Sequence, residues 1–236
     1  MIVESRMEHI DKYWDLIERH SLFRGLVHGE IASAMNLLRG EAQSFDKGEH
    51  LDKSIKRARQ KRIGCVLSGW AEIYKYDLRG NRVMLDFIMP NYLIGCYDVF
   101  SCVRLDEFEA IATAPGILLT LDAQELSAPS GVSNTLLISK LQSNLISILT
   151  ERSWRLLKKD DILSAGTQRD KLLLYLSYES AYFGSTSFDL PFDRQDMANY
   201  LHMNRSSLSR ELGKLRNEGL IEFSHNHFRL NFQPPK

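Results

Sequence analysis

Arg205, Ser206, Ser209 and Arg210 fall at helical spacing near the C-terminal end of this 236-residue chain. Positions i, i+1, i+4 and i+5 of a helix share one face. Arginine can donate two parallel hydrogen bonds to a guanine edge, and serine reaches phosphate or base edges. Asn204 stands where such a helix would start, and Ser207 falls in its first turn. The other side carries Leu208, Leu212 and Leu215, spaced for burial. A solvated helix face is the plain alternative, so the flanking elements must decide.

Those elements are legible. Asp193 can cap a preceding helix, and Asp196 adds negative charge in its first turn, where the helix dipole favours it. Met197, Ala198 and Leu201 give that helix an apolar face, and the small Ala198 admits a close neighbour. Gly219 suits a left-handed cap after the second helix. Ile221-Glu222-Phe223, a turn over Ser224 to His227, and Phe228-Arg229-Leu230 then alternate as a hairpin. A helix, a tight turn, a second helix and a hairpin present one helix to the major groove of double-stranded DNA. Arg194, at the start of the first helix, and His227, in the hairpin, join the candidate contacts.

Composition is that of an ordinary globular protein with formal charge zero, which argues against a diffuse polyanion binder. From Leu201 onward, however, six basic residues stand against three acidic ones. No apolar run approaches membrane-spanning length, and the N-terminus carries no secretion signal. Three cysteines make no disulfide framework, so a reducing cytoplasm is expected.

Ahead of the C-terminal module the pattern changes twice. Residues His9 to Leu38 read as helical. From Phe45 to Leu126 the period falls to two, punctuated by glycines. Its clearest hairpin pairs Trp70–Tyr76 with Arg82–Ile88 around Asp77–Asn81. Lys53 to Arg62, rich in cations, reads as a solvated edge strand or loop. A long helix follows from about Ser133 to Lys159. Ile138, Leu141, Leu145 and Ile148 fit heptad a and d positions there, which predicts a two-helix dimer seam, although such a stripe often packs on its own domain. A hinge is expected at Asp160–Gly166 and another helix over Asp170–Ser180. The expected fold class is α+β, divided as 1–132 (helical lead-in and antiparallel roll), 133–160 (dimerisation helix and hinge) and 161–236 (winged helix-turn-helix).

In this order, these elements resemble the Crp/Fnr family of bacterial transcription regulators. Val66-Leu67-Ser68-Gly69, Gly80-Asn81-Arg82, Phe87-Ile88-Met89-Pro90 and Leu93-Ile94-Gly95 carry the likeness in the roll. Arg194-Gln195-Asp196-Met197-Ala198 and Asn204 through Leu212 carry it more specifically. The resemblance implies a jelly-roll of the cyclic-nucleotide-binding type and a homodimer on a near-palindromic operator. It also implies contact with RNA polymerase, and base or phosphate contacts from Arg205, Ser206, Ser209 and Arg210. His202 occupies a turn position where the family often has glycine.

The effector segment departs from the family. Members that bind cyclic AMP follow the roll's glycine with glutamate and later carry arginine followed by serine or threonine. Here Gly95 is followed by Cys96 and Tyr97, and Arg104 by Leu105, Asp106 and Glu107. A cyclic phosphate would lose its ribose partner and meet repulsion, so cyclic AMP is not expected as a ligand. Gly95, Cys96, Tyr97 and Arg104 remain the candidate effector-pocket residues. Iron–sulfur members carry an N-terminal cysteine cluster, and no cysteine precedes Cys65, which argues against an iron–sulfur cluster. Cys96 and Cys102 could form a switch disulfide, and haem ligation by His28 or His50 stays open. No histidine lies between Leu51 and Asn199, and none pairs with cysteine at zinc spacing, so no metal site and no cupin-type enzyme is expected. The competing function is a ligand-binding signalling protein whose winged helix contacts protein.

Overall fold

The computed structural model describes residues 10–55, 62–100, 108–129, 134–190 and 193–232. The chain divides into two compact units, Met1–Thr150 and Glu151–Lys236. The boundary falls inside the long helix, which the sequence reading treated as a segment of its own.

The first unit opens with helices α1 (Trp14–Arg19) and α2 (His28–Leu37), joined through a 3-10 turn at Ser21–Phe23. A five-stranded antiparallel sheet follows: β1 (Glu41–Phe45), β2 (Arg62–Tyr76), β3 (Arg82–Ile88), β4 (Leu93–Ile94) and β5 (Glu109–Asp122). Its order is β1-β5-β2-β3, with β4 also on β2. The expected hairpin is present, with Ala71 opposite Ile88 and Tyr76 opposite Arg82. Asp77 Oδ1 accepts from the Arg79 and Asn81 amides and closes the turn. The long strands β2 and β5 lose register between Val66 and Ala71. Gly69 and Gly116 meet there so closely that a Cβ on Gly116 would lie 2.1 Å from the Ser68 carbonyl oxygen. Side chains are excluded at that crossing, and the sheet bends into a roll.

Three short helices are also described in this unit before the long one: α3 (Leu51–Ile55), α4 (Cys96–Phe100) and α5 (Gln124–Ser127). The cationic stretch therefore begins as a helix, and residues 56–61 lie outside the described residues. Arg62 is no solvated edge residue. It is buried in β2, donates to the Thr120 Oγ1 at 2.7 Å and lies 3.4 Å from a Glu41 carboxylate oxygen.

The long helix α6 spans Thr135–Ser164. It runs through much of the expected hinge, and the next helix, α7 (Gln168–Phe183), starts from a cap in which the Thr167 hydroxyl accepts from the Asp170 amide. The dimer seam expected from Ile138, Leu141, Leu145 and Ile148 is corrected. All four are buried within this chain, and Leu141, Leu145 and Ile148 share an apolar cluster with Leu22, Phe23, Ile31 and Leu119. The stripe is spent on covering the lead-in helices and the sheet, so it cannot also face a second copy. Asn144 fastens the same face by donating to the Leu22 and Arg24 carbonyls, and Lys140 pairs with Glu30 at 2.6 Å. The exposed side of α6 within this unit carries Leu136 and Ile146, at 72% and 62% exposure.

The second unit contains the end of α6, then α7, β6 (Ser187–Asp189), α8 (Arg194–Tyr200), α9 (Arg205–Asn217), β7 (Ile221–Ser224) and β8 (His227–Leu230). Its sheet has the order β6-β8-β7, all antiparallel. Strand β6 is missing from the sequence reading, because three residues are too few to show a period. Among the described residues no helix is long and apolar enough to cross a membrane.

Candidate nucleic-acid interface

The two helices at the centre of this unit begin differently. At α8, Asp193 Oδ1 accepts from the Gln195 and Asp196 amides at 2.6 and 3.0 Å, and Asp196 Oδ2 accepts back from the Asp193 amide at 3.4 Å. This is the expected cap, made reciprocal. At α9, Asn204 occupies the N-cap position, but its side chain makes no capping bond. The positive end of α9 therefore keeps first-turn N–H groups for an outside acceptor, and such a terminus attracts phosphate.

The connection runs through Leu201, His202 and Met203. The Met203 amide donates to the Ala198 carbonyl at 2.8 Å, and Leu201 and Ala198 are fully buried. His202 has φ +52°, the left-handed conformation that a glycine would take without strain. Its exposed side chain is held below its ordinary pKa by partial burial and by Lys159 and Lys171.

Leu208, Leu212 and Leu215 are buried beneath α9, which turns Arg205, Ser206, Ser209 and Arg210 outward together. Arg205 has no ion pair among the described residues, and Arg210 has only a 3.4 Å contact to the Ser207 hydroxyl. Further along, Lys214 is held by Glu211 at 2.7 Å. At the far end Arg169 of α7 grips Glu218 with both terminal nitrogens. The helix is anchored at its C-terminal end, and its uncommitted cations lie at the N-terminal end.

Three proposed contacts sit differently from expectation. Ser207 is buried against the unit's core, one step round the helix from Ser206, and does not belong to the exposed face. Arg194 does not project freely. Its guanidinium lies 5.2 and 4.8 Å from the Phe223 and Phe228 ring centroids, and it donates to the His225 carbonyl. His227 lies in strand β8, with Nδ1 3.0 Å from Asp189 Oδ1 and Nε2 3.1 Å from Ser187 Oγ. Both ring nitrogens are thus used inside the sheet, and the hairpin turn belongs to His225, at φ +49°, and Asn226. The order serine, histidine, aspartate has the outline of a hydrolytic triad. However, the His227 and Asp189 side chains are 49% and 79% exposed, and a solvated carboxylate orients and charges an imidazole far less than a buried one.

The described candidate effector residues, Gly95, Cys96 and Tyr97, have different surroundings. A Cβ on Gly95, which has φ +82°, would meet Ile55 Cγ2 at 2.9 Å and the Arg62 carbonyl oxygen at 3.0 Å, so the glycine serves close backbone packing. Cys96 belongs to the apolar core with Cys65, and burial raises the Cys65 thiol well above its ordinary pKa. Tyr97 is exposed. Arg104 and Cys102 lie outside the described residues. Among the described residues no group of three histidine, cysteine or acidic side chains is placed to hold a metal ion.

Residues 171–231 match the family model of the Crp-like helix-turn-helix domain. No curated protein matches the chain. Its fold is similar to that of FixK2 from Bradyrhizobium japonicum, at TM-score 0.59 and 18% identity over 82% of this chain and 93% of that one. It is similar to the c-di-GMP responsive global regulator CLP of Xanthomonas campestris, at TM-score 0.61 and 14% identity over 88% and 100%. A cyclic nucleotide-binding domain containing protein from Listeria monocytogenes EGD-e aligns at TM-score 0.65 and 16% identity over 86% and 97%.

Proposed function

We propose that this chain is a sequence-specific transcription regulator, a reading supported by the match of residues 171–231 to the Crp-like helix-turn-helix model and by the likeness of its fold to that of the global regulator CLP. It works as a cytoplasmic homodimer on a near-palindromic operator and contacts RNA polymerase as the family resemblance implies. One observation carries the reading: Arg205, Ser206, Ser209 and Arg210 stand together on the outer face of α9, beside a helix start that its own N-cap leaves open. Arginine reads guanine edges there, and the open N–H groups and serines hold phosphate.

Salt titration of duplex binding tests this. A protein that neutralises phosphates releases counterions, so log K should fall linearly with log salt, with a slope of about −0.9 for each phosphate engaged. A chain that ignores duplex DNA at low salt, or binds it without salt dependence, does not read DNA, and its winged helix contacts protein instead.

The roll carries the regulatory input, a small molecule or a redox signal, and the response is a shift between two arrangements of the dimer. Cyclic AMP is not that input. Supporting this, the roll's inner cluster is apolar, with Phe45, Val66, Ile73, Ile88, Ala110 and Leu118 packed together. Cys96 stands where cyclic-AMP binders have glutamate. Cyclic AMP should leave the melting temperature unchanged, whereas a ligand at a hundredfold its Kd adds about 2.7 kcal/mol. A clear upward shift would restore cyclic AMP as the effector.

A further inference from the structure

We propose that Arg194 is a positioning residue, which fixes the wing tip against the two helices of the DNA-reading unit and supports duplex binding through the wing, without touching phosphate. The inference rests on the DNA reading above and assigns this arginine a different part in it.

The geometry is a bracket. Four phenylalanines run across the small sheet and into the end of α7. Phe183 stacks on Phe188 with centroids 5.7 Å apart, Phe188 on Phe228 at 6.3 Å, and Phe228 meets Phe223 at 5.9 Å. Phe188, Phe228 and Phe223 are directly opposed across the three strands, so the column follows from the register. Arg194 from α8 closes one end, over both Phe223 and Phe228. Arg216 from α9 sets a second guanidinium 5.2 Å from the Phe223 centroid. Both helices of the helix-turn-helix therefore hold the same wing strand through cations on one ring.

Arg194 alone reaches on to the tip. Its second terminal nitrogen donates to the carbonyl of His225, in the two-residue turn of the hairpin. Its first terminal nitrogen lies 4.0 Å from the Met197 sulfur, itself in the buried core of the unit. A planar guanidinium can stack on rings and donate in its own plane at once, and an ammonium cannot. A side chain set over two rings, with one terminal nitrogen on a carbonyl and the other beside a buried sulfur, has little left for a phosphate. It can still set where the wing backbone lies when α9 enters a groove.

The test uses the full chain, a fluorescent duplex and three variants: Arg194→Lys, Arg194→Gln and Phe223→Leu. Phe223→Leu removes the ring without removing any charge, and melting curves check that each variant folds. All three should weaken duplex binding by about five- to tenfold. Their salt slopes should equal that of the unsubstituted chain, and amide hydrogen exchange at His225 and Asn226 should accelerate. Two results would overturn the proposal. One is Arg194→Lys binding normally while Arg194→Gln loses about one unit of salt slope, which is the signature of a phosphate contact. The other is unchanged affinity in all three. If the unsubstituted chain binds no duplex, the DNA reading fails. Tip exchange, which needs no DNA, then reports separately whether the bracket exists.

Discussion

Leu141→Ala should cost the first unit about 2–5 kcal/mol of stability and leave self-association unchanged. The side chain is fully buried in the cluster that joins α6 to the lead-in helices and the sheet. Truncating it leaves a cavity in one chain, not at a contact between two. Ile146, on the exposed side of the same helix, should behave in the opposite way. Ile146→Asp changes a surface position, where stability shifts stay within about 0.5 kcal/mol, but if the proposed homodimer pairs along this face it sets like charges against each other across the two-fold. Sedimentation at several concentrations reads the association state, and urea unfolding of the dissociated chain reads the stability. A dimer lost in Leu141→Ala and kept in Ile146→Asp would return the seam to the buried stripe.

Arg210→Ala should weaken specific operator binding by about 1–3 kcal/mol with the fold intact. The arginine lies on the outer face of α9, and its contact with Ser207 is 3.4 Å long, so the folded unit loses little with it. Ser207→Ala is the internal control. That residue is buried and its hydroxyl meets Arg210 only at 3.4 Å, so its removal should change affinity for the operator far less than loss of Arg210 itself. A gel-shift titration with both variants reads the difference. Equal affinity for Arg210→Ala and the unsubstituted chain would remove Arg210 from the base-reading face. A loss in Ser207→Ala as large as in Arg210→Ala, with the melting temperature unchanged, would put Ser207 back on it.

Much of the DNA-reading unit was legible because its signals are local. The reciprocal cap at Asp193, the buried leucines of α9, the Ile221–Leu230 hairpin and Gly219 at φ +73° depend on neighbours a few residues away. His202 shows the same logic in reverse. The turn imposes a left-handed backbone there, and the chain accepts a side chain that the conformation disfavours.

The errors share a different origin. The stripe on α6 was read correctly as apolar, but periodicity says only that something covers a face. Whether a second copy or the chain's own sheet does so depends on residues a hundred positions away, such as Leu22 and Phe23. Strand β6 exists because β8 lends it a ladder, not because Ser187–Asp189 has a pattern of its own. His227 is bound by Asp189 and Ser187 from that same strand, so its environment was hidden along with the strand.

By itself the sequence determined the two helices and the hairpin of the C-terminal module and most of the side chains of α9 that face outward, because backbone hydrogen bonding, capping and amphipathic spacing act over one or two turns. Only the tertiary structure decided what each apolar stripe packs against and which polar groups stay free. Arg194 shows the difference: its type and position suited phosphate, and the rings of Phe223 and Phe228 and the carbonyl of His225, about thirty residues further on, had already engaged it. Contacts between segments that distant in sequence leave no periodicity to read, since they are fixed only when the sheet register brings the partners together.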